Sequence, residues 1–121
     1  MDTKRILVVD DEINQGLLYE QELSDEGYDV DVANSGQKAL EMVKAKEYDL
    51  VVLDIGMPTM DGLETLGKML SMDNRLPVIL NTAYPSYKDN FMSWAADAYA
   101  VKSSDLTELK EKIRESIARR K

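Results

Sequence analysis

The chain contains no cysteine and no histidine among its 121 residues. Without cysteine it can form neither a disulfide nor a thiolate metal site, and without histidine it has no imidazole to act as acid, base or metal ligand. Any reaction at this protein must therefore use carboxylate, hydroxyl or amine groups. The length is that of one domain with a single core, and we expect residues 1–121 to form it.

Long hydrophobic runs and an excess of positive charge are absent as well. The first apolar run, ILVV, has only four residues before two acids, which argues against a signal peptide or a membrane span. The 23 acidic residues outnumber the 15 basic ones and give a net charge of −8, which disfavours direct binding of nucleic acid. We therefore expect a cytoplasmic protein that contacts neither membrane nor nucleic acid directly.

Short apolar runs alternate with amphipathic segments of helical length. The runs are rich in Val, Ile and Leu on both faces, which is typical of parallel strands covered by helices on two sides. The pattern predicts strands at 5–9, 29–33, 50–53, 77–81 and 98–101. It predicts helices at 14–26, 36–46, 63–71 and 87–95, and a last helix after 104 or 105. The alternation indicates a three-layer α/β/α sandwich around a five-stranded parallel sheet.

Two of the predicted strands end in carboxylates. Asp10 and Asp11 follow the first strand, and Asp54 follows the third. Ligands of such sheets bind beyond the carboxyl ends of the strands where the strand order reverses, and for the order 2-1-3-4-5 this point lies between strands 1 and 3. Three carboxylates gathered there would repel one another unless a cation shared the site. Mg²⁺ is the abundant divalent ion that prefers oxygen ligands.

Four motifs occur along the chain in a characteristic order: VVDDE at strand 1, LDIGMP with DG soon after at strand 3, NTA at strand 4 and YAVK at strand 5. In these motifs the chain resembles the receiver domain of two-component response regulators, a CheY-like member of the flavodoxin-like folds, over essentially its whole length. The resemblance implies that Asp54 is the phosphorylated residue. It further implies that Asp11 binds Mg²⁺ directly, that Asp10 binds it through water, and that Gly56 supplies a backbone carbonyl.

The resemblance also assigns roles around the phosphoryl group. Thr82 would contribute its hydroxyl and Lys102 its ammonium, and Thr82 with Tyr99 would form the paired switch. The phosphoryl donor would be a sensor histidine kinase or a phosphotransfer protein, and a downstream target protein would contact the face made by helix 87–95, strand 98–101 and the last helix. The chain would be a phosphoacceptor rather than an enzyme, and a monomer or a phosphorylation-dependent dimer.

Simpler interpretations of the same residues stay open. Asp54 could be a turn residue after a strand, and Asp10 or Asp11 could cap the first helix. Lys102 could be a solvated surface lysine, and Thr82 a β-branched residue that closes a strand. The placement of all five at one predicted sheet edge favours a shared site.

Competing functions also remain. The chain could be a receiver domain excised from a longer regulator with a DNA-binding or enzymatic output domain. A Mg²⁺-dependent phosphatase or phosphotransferase would usually carry a second acid where Gly56 stands. A receiver-like module without phosphorylation would be expected to lack Asp11, Asp54 or Lys102, and all three are present. Asn81 occupies a position that is commonly apolar in the family, and the pattern does not account for it.

Overall fold

The computed structural model describes residues 3–54, 62–73, 75–82, 98–101 and 105–119, with the backbone alone described at 62, 63, 82, 99 and 101. Within these ranges the elements in chain order are β1 (Arg5–Val9), α1 (Ile13–Asp25), β2 (Asp29–Ala33), α2 (Gly36–Ala45), β3 (Leu50–Leu53), α3 (Gly62–Met72), β4 (Val78–Thr82), β5 (Ala98–Val101) and α4 (Thr107–Arg119).

The predicted elements are confirmed wherever the structure describes them. Four strand predictions match residue for residue, and β4 begins and ends one residue later than predicted. The helices predicted at 14–26, 36–46 and 63–71 lie within one residue of α1, α2 and α3 at each end. The helix predicted at 87–95 falls outside the described residues. Among the described helices, none is long and apolar enough to cross a membrane.

The five strands form one sheet in the order β2-β1-β3-β4-β5, which confirms the predicted order. Every neighbouring pair is parallel, with Val9 opposite Leu53 and Leu53 opposite Leu80 as the last paired positions around β3. All carboxyl ends therefore lie along one edge of the sheet. The chain places β2 on one side of β1 and places β3, β4 and β5 on the other side. The strand order therefore reverses between β1 and β3, and a crevice forms there at the carboxyl edge of the sheet.

Helices cover both faces of the sheet because successive strand side chains point to opposite sides. Leu7, Val51 and Leu80 face α2 and α3 in one buried cluster. Ile6 and Val52 belong to the other cluster, which packs against residues of α1 and α4. Burying each such side chain contributes about 1.5–3 kcal/mol, so the buried central strands contribute strongly to the stability of the fold.

Helix α1 is held closely against the sheet and against α4. A Cβ atom added at Gly16 would lie 2.8 Å from Cγ1 of Val32, so only glycine permits this approach to β2. The helix ends at Asp25, and Gly27 just beyond it has a φ of 99°, in the left-handed region that glycine adopts at low cost. On the opposite side, Lys110 Nζ of α4 donates to Glu22 Oε1 at 2.9 Å. Packing and charge together thus fix α1 beside the crevice.

Candidate functional site

The two acids that end β1 and β3 lie side by side at the crevice. Asp10 donates its backbone N–H to Ala33 O, and Asp54 donates its backbone N–H to Val9 O, each at 3.0 Å. The ladder therefore continues one residue past each strand and holds both backbones in register. The two residues are only 1% and 6% exposed, whereas Asp11 is exposed. The sheet thus presents two buried carboxylates with a third at their outer side.

Asp10, Asp11 and Asp54 form a cluster in which one carboxylate oxygen from each lies within 4.8 Å of the other two. Three negative charges at such distances repel strongly in a partly dry environment. Oxygen donors at this spacing fit a hard divalent cation such as Mg²⁺, whose charge removes the repulsion. Asp10 Oδ1 also accepts a hydrogen bond from the Glu12 N–H at 2.9 Å, which fixes that carboxylate and the turn into α1.

The other predicted site residues are described only in part. Thr82 ends β4, so its backbone lies at the same edge of the sheet as Asp54, and Tyr99 lies in β5 opposite Leu80. The side chains of Thr82 and Tyr99 are not among those the structure describes, and Gly56 and Lys102 lie outside the described residues. The structure therefore brings together the three carboxylates and the end of β4.

A buried polar pair lies beside the cluster and was not predicted as a pair. Asn81 Nδ2 donates to the Tyr19 hydroxyl oxygen at 3.0 Å, and the two residues are 3% and 2% exposed. The bond joins β4 to α1 across 62 positions of sequence. The only local signal in the sequence is an amide at the end of the otherwise apolar run PVILN. Nothing in the pattern around Tyr19 distinguished it from an ordinary core tyrosine.

A cavity of about 300 Å³ adjoins the cluster on its α1 side. Its lining includes Asp10, Ile13, Leu17 and Lys38. Ile13 is 67% exposed and Leu17 is 55% exposed, although both are large apolar side chains one helical turn apart. The crevice therefore has an apolar, solvent-facing flank directly beside a buried carboxylate.

A larger cavity of about 420 Å³ lies at the opposite edge of the sheet, where Tyr48, Asp49 and Leu76 precede β3 and β4. None of the described residues that line it is a predicted site residue. The Tyr48 hydroxyl donates to Asp31 Oδ2 at 2.7 Å, and Lys46 Nζ donates to the same oxygen at 3.1 Å. The tyrosine hydrogen bond is the main cause of the lowered pKa of Asp31. Burial, reinforced by this carboxylate, raises the pKa of Tyr48 well above its ordinary value.

Comparison with known proteins identifies the family. The model of the response regulator receiver domain matches residues 6–114. The chain is 33% identical over 118 residues to the transcriptional regulatory protein PcoR of Escherichia coli, covering 96% of this chain and 52% of PcoR. It thus spans about half the length of that relative.

Solved structures agree with this family match. The response regulator protein TrrA of Thermotoga maritima, in complex with Mg²⁺-BeF, is 47% identical with a TM-score of 0.91, covering 94% of this chain and 99% of TrrA. TrrA in complex with the histidine kinase ThkA is 47% identical with a TM-score of 0.89, covering 94% of this chain and 98% of that chain. The region that matches the family model extends from the second residue of β1 into α4, and the chain accordingly belongs to the response regulator receiver domain family.

Proposed function

We propose that this receiver domain, comprising residues 1–121, accepts a phosphoryl group on Asp54 from a histidine kinase or a phosphotransfer protein. The observation that carries the proposal is the convergence of Asp10, Asp11 and Asp54 at the crevice edge of the sheet. Asp54 is central because it directly follows β3, the strand that lies between β1, which Asp10 follows, and β4, which Thr82 ends. The role is that of a cytoplasmic signalling domain that catalyses only its own phosphorylation and dephosphorylation.

The transfer is a displacement at phosphorus. A carboxylate oxygen of Asp54 forms a bond to phosphorus while the bond from phosphorus to the donor nitrogen breaks, leaving an aspartyl phosphate and the free donor. Hydrolysis ends the phosphorylated state. A water oxygen bonds to phosphorus and loses a proton while the bond from phosphorus to the Asp54 oxygen breaks, which releases inorganic phosphate and restores the carboxylate. Asp54 is 6% exposed, so its burial limits the directions from which water can attack.

Charge must be neutralised for a carboxylate to attack a phosphoryl group. Mg²⁺, when bound, would supply that neutralisation, held by Asp11, Asp10 through water, Asp54 and the carbonyl of Gly56. Thr82 and Lys102 are proposed to hydrogen-bond to the phosphoryl oxygens. The metal role is supported by the spacing of the three carboxylates, because one oxygen of each lies within 4.8 Å of the other two. The position of Thr82 at the end of β4 supports its role.

The donor protein is proposed to dock on the outer face of α1. Ile13 and Leu17 form an exposed apolar surface beside Asp10, and burying it against a partner would bring the donor close to Asp54. TrrA, which is 47% identical to this chain, forms a complex with the histidine kinase ThkA. Both features support a histidine kinase as the partner.

The output is proposed to be a contact with a downstream target protein. Thr82 would move toward the phosphoryl group and let Tyr99 turn inward, which would change the face made by β5, α4 and the segment 87–95, which the sequence predicts to be helical. The signalling state would be a monomer or a phosphorylation-dependent dimer. In the alternative, the chain is the receiver domain of a longer regulator, and the same face would act on its DNA-binding or enzymatic output domain. This alternative is supported by PcoR, a transcriptional regulatory protein about twice as long as this chain.

The phosphorylation site is tested with acetyl phosphate and Mg²⁺. Intact-mass measurement should detect one added phosphoryl group that hydroxylamine removes, and Asp54→Asn should abolish it. Asp25→Asn, at the exposed end of α1, is the matched control and should be labelled like the wild type. Labelling of Asp54→Asn at the wild-type rate would refute the assignment.

The metal ligands are tested by calorimetric titration with Mg²⁺. Asp11→Ala should weaken binding more than Asp10→Ala, because a direct carboxylate ligand contributes more than one acting through water. Circular dichroism on both variants would establish that each is folded. Equal losses, or a larger loss in Asp10→Ala, would mean that the two acids have been assigned the wrong way round.

A further inference from the structure

We infer that Asn81, oriented by Tyr19, is a positioning residue for phosphoryl transfer at Asp54. The inference rests on the proposed function and concerns a residue pair that the carboxylate site does not include. It is carried by the buried hydrogen bond between the two side chains and by the place of Asn81 in the sheet.

Asn81 occupies the position next to Asp54 on the neighbouring strand. Leu53 of β3 pairs with Leu80 of β4, so the residues that follow them, Asp54 and Asn81, are the next positions along the two strands. Adjacent strands lie about 4.8 Å apart. Ile79, two residues before Asn81, packs in the same cluster as Val52, two residues before Asp54. Because strand side chains alternate, Asn81 and Asp54 belong to the same face of the sheet.

The hydrogen bond joins the two elements that flank the reaction. Tyr19 lies on α1, whose start follows directly on Asp10 and Asp11, and Asn81 directly precedes Thr82 on β4. A bond between the Tyr19 hydroxyl and the Asn81 amide therefore fixes the helix that follows the metal carboxylates relative to the strand that carries Thr82. A displacement of about 1 Å between reacting groups can lower a rate about 100-fold.

Core packing alone would not require these side chains. Leucine has nearly the shape of asparagine, and phenylalanine differs from tyrosine by one hydroxyl, so an apolar pair could fill the same space. A buried amide is costly unless it is hydrogen-bonded, and here the amide is 3% exposed and bonded at 3.0 Å. An oriented carboxamide beside Asp54 places a fixed dipole where charge moves during transfer, a role that an apolar side chain cannot fill.

The test is a cycle of Tyr19→Phe, Asn81→Leu and the double variant. Each single variant breaks this buried hydrogen bond and keeps one of its two polar groups, whereas the double variant removes both groups. Each single variant should therefore unfold at lower urea concentration than the wild type, and the double variant should regain most of that loss. The rate of labelling by acetyl phosphate should behave differently. The labelling rate should fall about fivefold in Asn81→Leu and stay low in the double variant. Tyr19→Phe keeps the amide and removes the hydroxyl that orients it, so its decrease should be smaller.

Two controls separate positioning from general destabilisation. Ile79→Val, on the same strand and face, should lower stability and leave the labelling rate unchanged. Mg²⁺ affinity, measured by calorimetry, should stay within about twofold in Asn81→Leu, because the carboxylate ligands follow β1 and β3 rather than β4. A double variant that regains both stability and wild-type labelling would overturn the inference and make the pair a packing feature. If the wild type takes up no phosphoryl group, the proposed function and this inference are both wrong. If the wild type is labelled normally, the proposed function stands and the variants test the inference alone.

Discussion

Repulsion within the carboxylate cluster predicts that the conservative change Asp54→Asn stabilises the protein when no divalent cation is present. One carboxylate oxygen each of Asp54, Asp10 and Asp11 lies within 4.8 Å of the other two. At that separation and an effective dielectric constant of about 20, two unit charges repel by about 3.5 kcal/mol. Most of the repulsion on Asp54 comes from Asp10, because Asp10 is buried, whereas solvent screens the charge of the exposed Asp11.

The net gain is smaller than this pairwise repulsion because each carboxylate also has favourable contacts. We expect Asp54→Asn to raise the free energy of unfolding by about 1–3 kcal/mol in buffer with EDTA. For a domain of this size each kcal/mol corresponds to about 4 °C in the melting temperature. Urea and thermal denaturation followed by circular dichroism would measure both quantities.

Added Mg²⁺ should reverse the order of stability. At a concentration 100 times the dissociation constant, a cation that binds only the folded state adds about 2.7 kcal/mol to the wild type, and most of this should be lost in Asp54→Asn. Glu41→Gln removes one exposed negative charge on α2, away from the cluster, and serves as the control. If Asp54→Asn is no more stable than the wild type in EDTA while Glu41→Gln is unchanged, the repulsion argument is wrong.

Three further predictions concern the surrounding fold. Tyr48→Phe removes the hydrogen bond that lowers the pKa of Asp31 below its ordinary 3.8, and because Asp31 is partly exposed we expect a loss of about 1–2 kcal/mol near pH 7. A carboxylate with a lowered pKa stabilises the folded state at pH values above its ordinary pKa. The difference in unfolding free energy between wild type and Tyr48→Phe, measured by urea denaturation, should therefore shrink as the pH falls below 3.8. A difference that does not change with pH would contradict this role of Asp31. Gly16→Ala should cost about 1–3 kcal/mol despite the higher helix propensity of alanine, because the added Cβ would lie 2.8 Å from Val32 Cγ1, and Val32→Ala should relieve part of that loss in thermal denaturation. Ser35→Ala removes the side chain that accepts the Lys38 N–H at the start of α2 and should cost about 1 kcal/mol, whereas Ser35→Asp should retain most of the stability.

Much of the architecture could be predicted from the sequence because it depends on local pattern. Strands buried on both faces need continuous runs such as LVVL at 50–53, and all four residues of that run are buried. Helices that cover the sheet need a repeating apolar stripe, which α4 has at Leu109 and Ile113. Alternation of the two element types leads to a parallel sheet, and a parallel sheet gathers its carboxyl ends at one edge. The acids that follow two of the strands were therefore recognisable as one site before any coordinates were known.

The contacts between distant segments were decided by the tertiary structure. The distances among Asp10, Asp11 and Asp54 depend on the register between β1 and β3, which no short stretch of sequence contains. In the sequence Asn81 is an unexplained amide, and its partner Tyr19 is 62 positions away on a helix whose rotation is set by packing. The same holds for Tyr48 and Asp31. Periodicity determines which face of an element is buried, but only the assembled sheet and helices determine which buried polar groups meet.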